Sequence, residues 1–236
     1  MIALLRYNLK IVAPALLWSG IMVLALVGLI LFGKFRRPDQ FDAENAAWLA
    51  EQLVPLMAAF FSAGILDAEL KRGAHELLCS KRRPLWHTVA YRLAVSLGAA
   101  LLIGAGVLAA LHWGVRRIPL GMILLAAAPS SLCVAMISLW TRIRLGNVFI
   151  GYVVALALWL GNCIALGLQR SPLVISVNPL LTFTSYTERL HAAAAGALET
   201  TPYVDWWWVS KIALVLVSLA VFVSITRRVE HLVEAD

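Results

Sequence analysis

The chain has 236 residues, is 61% hydrophobic and carries a formal charge of +7. Its mean hydropathy of +0.84 exceeds what a water-soluble core needs, since soluble domains are about 45–50% apolar even with glycine counted. The excess falls in runs near the roughly 20 residues that cross a bilayer, so composition excludes an ordinary soluble domain. The basic balance does not call for nucleic acid, because Lys and Arg gather at the ends of the apolar runs, as membrane topology demands.

The expected fold is an all-α polytopic membrane protein, a single transmembrane domain over residues 1–236 with six transmembrane helices. Residues 1–10, with Arg6, Tyr7 and Lys10 among Leu and Ile, read as an N-terminal amphipathic helix on the membrane surface. No A-x-A-type cleavage site follows, so the first apolar run reads as a retained span rather than a signal peptide. That span covers about 11–32, with Pro14 near its start, where proline is tolerated. The second covers about 46–66 and contains Glu51 and Pro55. Glu51 lies about one turn inside the boundary and reads as an interfacial carboxylate, and Pro55 is expected to kink the helix.

The third span covers about 88–111 and carries Gly98, Gly104 and Gly106, small residues that let helices approach closely in lipid. The fourth covers about 120–140, with a Pro129-Ser130-Ser131 break near its middle whose freed carbonyls hydroxyls or a neighbour would satisfy. The fifth covers about 148–168, with Asn162 expected to face another helix. Residues 169–206 are broken by Pro172, Pro179 and Pro202 and read as short external re-entrant or surface helices. The sixth span covers about 207–226. Trp206, Trp207 and Trp208 fit an interfacial aromatic belt, and Lys211 is expected to snorkel outward from the first turn. With both termini inside, twelve Lys and Arg residues fall on the inner side and eight on the outer.

Several site motifs fail on inspection. The stretch from Gly28 to Phe35, GLILFGKF, has the GxxxxGK spacing of a phosphate loop. Phe35 stands where Ser or Thr should meet magnesium, and no strand precedes it. Any ATP-driven role therefore needs a separate subunit. Cys79, Cys133 and Cys163 lack metal spacing, and Cys133 and Cys163 read as buried free thiols. His75, His87, His112, His191 and His231 are scattered, with no pairing at metal-ligand spacing, and none lies deep in a span. Ser130 and Ser131 therefore lack the buried histidine an intramembrane serine protease would use. An ion-coupled carrier is expected to hold charges near the midplane, and the span centres read as nearly free of them.

What remains is the longest charged segment, residues 67–92, DAELKRGAHELLCSKRRPLWHTVAYR. Acids gather at its start and Lys81, Arg82 and Arg83 toward its end, which complements a helix dipole. Leu70, Leu77 and Leu78 are spaced as one apolar stripe that a partner groove could cover. Glu69 and Glu76 have partner cations or Arg72 and Arg83 in cis as alternative mates. Lys81, Arg82, Arg83 and Arg92 read as headgroup anchors of the third span.

The run Glu69, Gly73, Glu76-Leu77-Leu78, Ser80, Pro84 and Arg92 resembles the pattern after the second span in permease subunits of ABC-2 type transporters. The cluster Lys81-Arg82-Arg83 before Pro84 departs from it. Asn178-Pro179-Leu180 is similar to a turn that follows the fifth span in that family. The resemblance implies a cytoplasmic coupling helix over about 67–80 whose Glu69, Leu70, Arg72, Gly73, Glu76, Leu77 and Leu78 dock into an ABC ATP-binding subunit. It implies two such ATPase copies and a second permease chain, identical or related, met through the first, second and fifth spans. ATP and Mg would sit on the partner, so this chain has no cofactor and no catalytic residue of its own. The expected function is thus the permease of an ATP-driven exporter in the bacterial cytoplasmic membrane, moving an amphipathic or hydrophobic peptide, drug or lipid. The competing expectations are a non-transporting membrane scaffold or immunity protein, and an ion-coupled secondary carrier.

Overall fold

The computed structural model describes residues 20, 43–65, 85–114, 117–168 and 207–234. Among them lie five helices and no strand: α1 (Ala43–Ala63), α2 (Leu85–Gly114), α3 (Leu120–Leu145), α4 (Val148–Leu168) and α5 (Trp207–Glu234). The expected first span, the coupling segment up to Pro84 and the external segment 169–206 lie outside the described residues, apart from Gly20. Two helical stretches, Trp86–Gly114 and Ile123–Leu145, are long and apolar enough to cross a membrane.

The helices alternate in direction. Arg92 meets Ile65 and Gly104 meets Val54, so α2 runs antiparallel to α1. Ser62 reaches Ala135 and Leu56 adjoins Val134, so α3 runs parallel to α1. Trp140 bonds Ser224 and Lys211 bonds Ala126, so α5 runs parallel to α3. α1 and α3 form the centre, and their buried Leu53, Phe61, Ala127 and Leu139 belong to one apolar core with Leu93 and Leu108 of α2. As a result one end of the bundle gathers Arg92, Arg142, Arg144, Arg227 and Arg228, while Arg117 lies at the other.

Several boundaries differ from the sequence expectation. α3 continues past Trp140 to Leu145, because no helix breaker occurs before Gly146. There the chain turns: Gly146 adopts φ 71° and its N–H donates to Arg142 O, a left-handed C-cap that glycine takes without steric cost. Asn147 Oδ1 then accepts the Phe149 N–H and starts α4. The expected loop at 141–147 thus shrinks to two residues, Gly146 and Asn147. α5 likewise runs on to Glu234, so the expected charged tail is largely helical. Pro129 interrupts neither α3's course nor its ends; Ser131 Oγ instead donates to Ala127 O at 2.7 Å. Pro55 also lies inside an unbroken helix.

Close approach in this bundle rests on two glycines. A Cβ on Gly104 would come within 2.7 Å of Val54 Cγ2. One on Gly151 would meet Ser138 O at 2.9 Å, Ala63 Cβ at 3.2 Å and Arg142 Cβ at 3.3 Å, so α1, α3 and α4 converge there. Gly98 and Gly106 have open space around them, so of the three glycines expected to serve packing in the third span only Gly104 does. Hydroxyls tie the same seam: Ser62 Oγ donates toward Ala59 O and Ala135 O, both at 3.1 Å. Ser138 Oγ donates to Gly151 O at 2.8 Å. Such interhelical bonds serve where apolar surroundings offer no water.

The backbone oxygen facing Gly151 cannot swing aside as a side chain can. Gly151→Ala is therefore expected to destabilise the protein by about 1–3 kcal/mol. Gly98→Ala should be neutral or stabilising by up to about 1 kcal/mol. Thermal unfolding of the two purified variants against wild type measures both.

Candidate functional site

The polar centre of the bundle is built from α1, α3 and α5. Glu51 lies eight residues into α1, about 12 Å along the helix axis at 1.5 Å per residue. It is 1% exposed, and Lys211 of α5 is 6% exposed. Lys211 Nζ stands 3.6 Å from Glu51 Oε1. It donates to Ala126 O at 2.7 Å and to Ser130 Oγ at 3.1 Å. The ammonium is thus held by two acceptors on α3 and by a carboxylate counter-ion on α1.

Each of the two central helices carries a proline near that depth. Pro129 has no N–H to return to Leu125 O, which loosens the turn. Ala126 O in that same turn accepts from Lys211. On α1, Pro55 likewise cannot donate to the carbonyl of Glu51 itself. The charged pair thus sits where both central helices have a weakened turn.

Two expectations are corrected here. Glu51 is not an interfacial carboxylate, and Lys211 does not snorkel outward. Each is turned into the bundle because the other neutralises it, and an unpaired charge in this setting would be far costlier. Arg92 is also corrected: it is 2% exposed and donates from Nη1 to Ile65 O at 2.7 Å, so it closes the C-terminal end of α1 rather than anchoring at headgroups.

Beside the pair lies a narrow crevice lined by Glu51, Gln52, Pro55, Leu56, Val134, Ala155, Leu158 and Trp159. α1 and α4 touch at Ala63 and Gly151, and the Phe60 and Tyr152 rings meet with centroids 5.3 Å apart. From that contact the cleft extends toward Glu51 and Trp159. Trp159 Nε1 is buried there without a hydrogen-bond partner among the described residues.

No family model, curated protein or solved structure matches this chain. The site therefore stands on its own geometry. Ser130 and Lys211 have the spacing of a Ser–Lys dyad, but Lys211 donates to Ser130 Oγ and is ion-paired with Glu51, and as an ammonium it has no lone pair to take the serine proton. Ser130 is fully buried and does not line the cleft. His112 Nδ1 accepts the Ile118 N–H at 2.9 Å, tying the α2–α3 turn, and His87 stacks on Trp86. Cys133 is a buried free thiol, as expected. Among the described residues no three His, Cys, Asp or Glu side chains could hold a metal ion.

The coupling residues expected from sequence, Glu69, Leu70, Arg72, Gly73, Glu76, Leu77 and Leu78, lie outside the described residues. So do Arg6, Lys10, Lys81, Arg82, Arg83 and Trp206, while Trp207 and Trp208 open α5. The geometry thus assembles a different set from the expected one: Glu51, Lys211, Ser130, Gln52 and Trp159. The signal for the first two was present, as ionisable residues within apolar runs. Nothing local marks Trp159 or Ser130 as neighbours of that pair.

Removing one member of the pair leaves a buried charge. Lys211→Met is expected to destabilise by about 3–5 kcal/mol, whereas Glu51→Leu combined with Lys211→Met should recover most of that loss. A double-mutant cycle on chemical unfolding reads the coupling directly.

Proposed function

We propose that this chain is a permease subunit of an ATP-driven exporter of the ABC-2 type, with six membrane spans and both termini on the cytoplasmic side. The observation that carries the proposal is how the stems of the charged segment are held. The segment leaves α1 after Ile65 and enters α2 at Leu85. Arg92 clamps the Ile65 carbonyl at 2.7 Å, and further along Gly104 packs against Val54. A force applied to residues 67–80 by a closing ATPase subunit therefore reaches α1 and α2 together. From α1 it passes through Glu51 and Lys211 to α3 and α5.

Two features support the membrane setting. Leu102 and Trp113 on α2 are 75% and 80% exposed, with Leu125, Phe149 and Leu216 also uncovered. Lipid accepts such surfaces where water does not. The five arginines at the end that bears the segment fit a cytoplasmic side. The permease works with two ATP-binding subunits, which carry ATP and Mg, and with a second permease chain, identical or related. Its cargo is an amphipathic or hydrophobic peptide, drug or lipid.

The buried Glu51–Lys211 pair favours one second reading, an ion-coupled secondary carrier. Sequence argued against it because the span centres read as uncharged, and this pair removes that argument. The two readings differ in energy source. An ATPase subunit expressed alongside is expected to co-purify with the chain, and Glu69→Lys or Gly73→Pro should reduce ATP-dependent transport to background while membrane insertion stays unchanged. Transport by the chain alone on an ion gradient would establish the carrier instead. For topology, a cysteine at position 83 should resist an impermeant thiol reagent added outside, and one at 189 should react. Equal reaction at both would overturn the orientation.

A further inference from the structure

We infer that the seam between α3 and α5, at the end that gathers the arginines, binds the phosphate headgroup of an anionic phospholipid between Arg144 and Arg228. The inference rests on the membrane setting of the reading above but not on an ATPase partner.

The register of the two helices brings these arginines together. Lys211 Nζ donates to Ala126 O, and Trp140 Nε1 donates to Ser224 Oγ at 3.1 Å. The paired residues are 85 positions apart in the first contact and 84 in the second. The parallel helices therefore keep one register from the first contact to the second. Arg144 lies four residues beyond Trp140, and Arg228 four beyond Ser224. Residues at that spacing share a helix face. Both arginines thus stand on the facing sides of the seam, about 6 Å past the Trp140–Ser224 bond at 1.5 Å per residue. Arg144 Cζ lies 5.8 Å from the Trp140 ring centroid, within the range of a cation–π contact. That contact holds its guanidinium over the seam.

Charge calls for an anion there. Both arginines are exposed, and neither forms an ion pair among the described residues. α2, α3 and α4 contain no Asp or Glu at all. On α5, Glu230 stands two residues from Arg228 and three from Arg227, a spacing that suits Arg227 and not Arg228. Two level cations without a counter-charge repel each other, and a phosphate between them offsets that. Its oxygens match the planar guanidinium fork. Ser224 Oγ accepts from Trp140 and is exposed, so its own O–H serves as a further donor.

The surface below the arginines decides in favour of a lipid. Ala220 and Val217 lie four and seven residues before Ser224, on its face of α5, and both are exposed. An acyl chain lying on that apolar stripe keeps its phosphate level with the arginines. A half-buried Trp140 between stripe and charges has the place of an interfacial indole. Basic sites between membrane helices hold anionic headgroups on the same terms.

The test uses the full chain in nanodiscs and brominated lipids, which quench nearby indoles. Trp140 emission is isolated as the difference between wild type and Trp140→Phe, since the chain has 9 tryptophans. Brominated phosphatidylglycerol and phosphatidylcholine share the phosphate and differ in net charge. Wild type is expected to prefer phosphatidylglycerol at least fivefold. Arg144→Gln combined with Arg228→Gln should abolish the preference. Arg227→Gln, which removes an equal charge beside the seam, should leave it unchanged. An equal fall in preference per charge removed in all variants would mean a generally cationic surface and would overturn the inference. So would the absence of any preference in wild type, a comparison that needs no variant to fold. Release of the lipid by excess soluble glycerol phosphate would assign the site to a free phosphate and overturn the lipid reading. Failure of ATPase co-purification leaves this preference unaffected, so the two proposals fail separately.

Discussion

Lys211 Nζ is the point at which three helices of the bundle meet through polar chemistry. Its two acceptors lie on α3 and its carboxylate counter-ion on α1, while its stem rises from α5. An ammonium in apolar surroundings tolerates nothing less, because each unmatched proton would add desolvation cost without return. The pair therefore fixes which face of α5 turns inward. It also couples α5 to α1, between which α3 otherwise intervenes. Ile212, Leu216 and Val223 are then left on the outer face of α5.

The surrounding helices pack unevenly along the bundle. At one end, Gly151 lets α4 close on the backbone of α3 and the Ala63 side chain of α1, and Ser138 Oγ bonds α3 to α4. Arg92 ties the same end of α1 to α2. Toward the other end α1 and α4 part, the cleft opens, and Pro55 and Pro129 weaken the turns beside the charges. The closest helix contacts of the described residues thus lie at the end where α1 and α2 meet the charged segment.

Much of the helical layout was legible in the sequence, since apolar runs end at recognisable breaks such as Pro119 and Gly146. The starts of α3, α4 and α5 coincide with the expected ones. The lengths of α3 and α5 were not, because charged residues such as Arg142, Arg144 and Glu234 read as loop although nothing in them stops a helix. The site was less legible. Glu51 and Lys211 are far apart in sequence, each close to the apparent end of an apolar run, so each alone reads as interfacial. Only the parallel arrangement of α1, α3 and α5 brings them level. Gly151 was passed over for the same reason: a glycine's spacing does not reveal whether a backbone oxygen faces it. The proposed coupling role of residues 67–80 rests on their residue pattern and on the Arg92–Ile65 contact between the flanking helices.

Amine footprinting tests the inward-turned Lys211 most directly. The folded protein in nanodiscs is treated with an acylating reagent, digested and read by mass spectrometry, with the unfolded chain as the reference for full reaction. The account predicts that Lys211 stays unmodified in the native protein and becomes reactive in Glu51→Gln, while its backbone stays helical. Modification of native Lys211 as readily as in the unfolded chain would place the ammonium at the membrane surface and contradict the account.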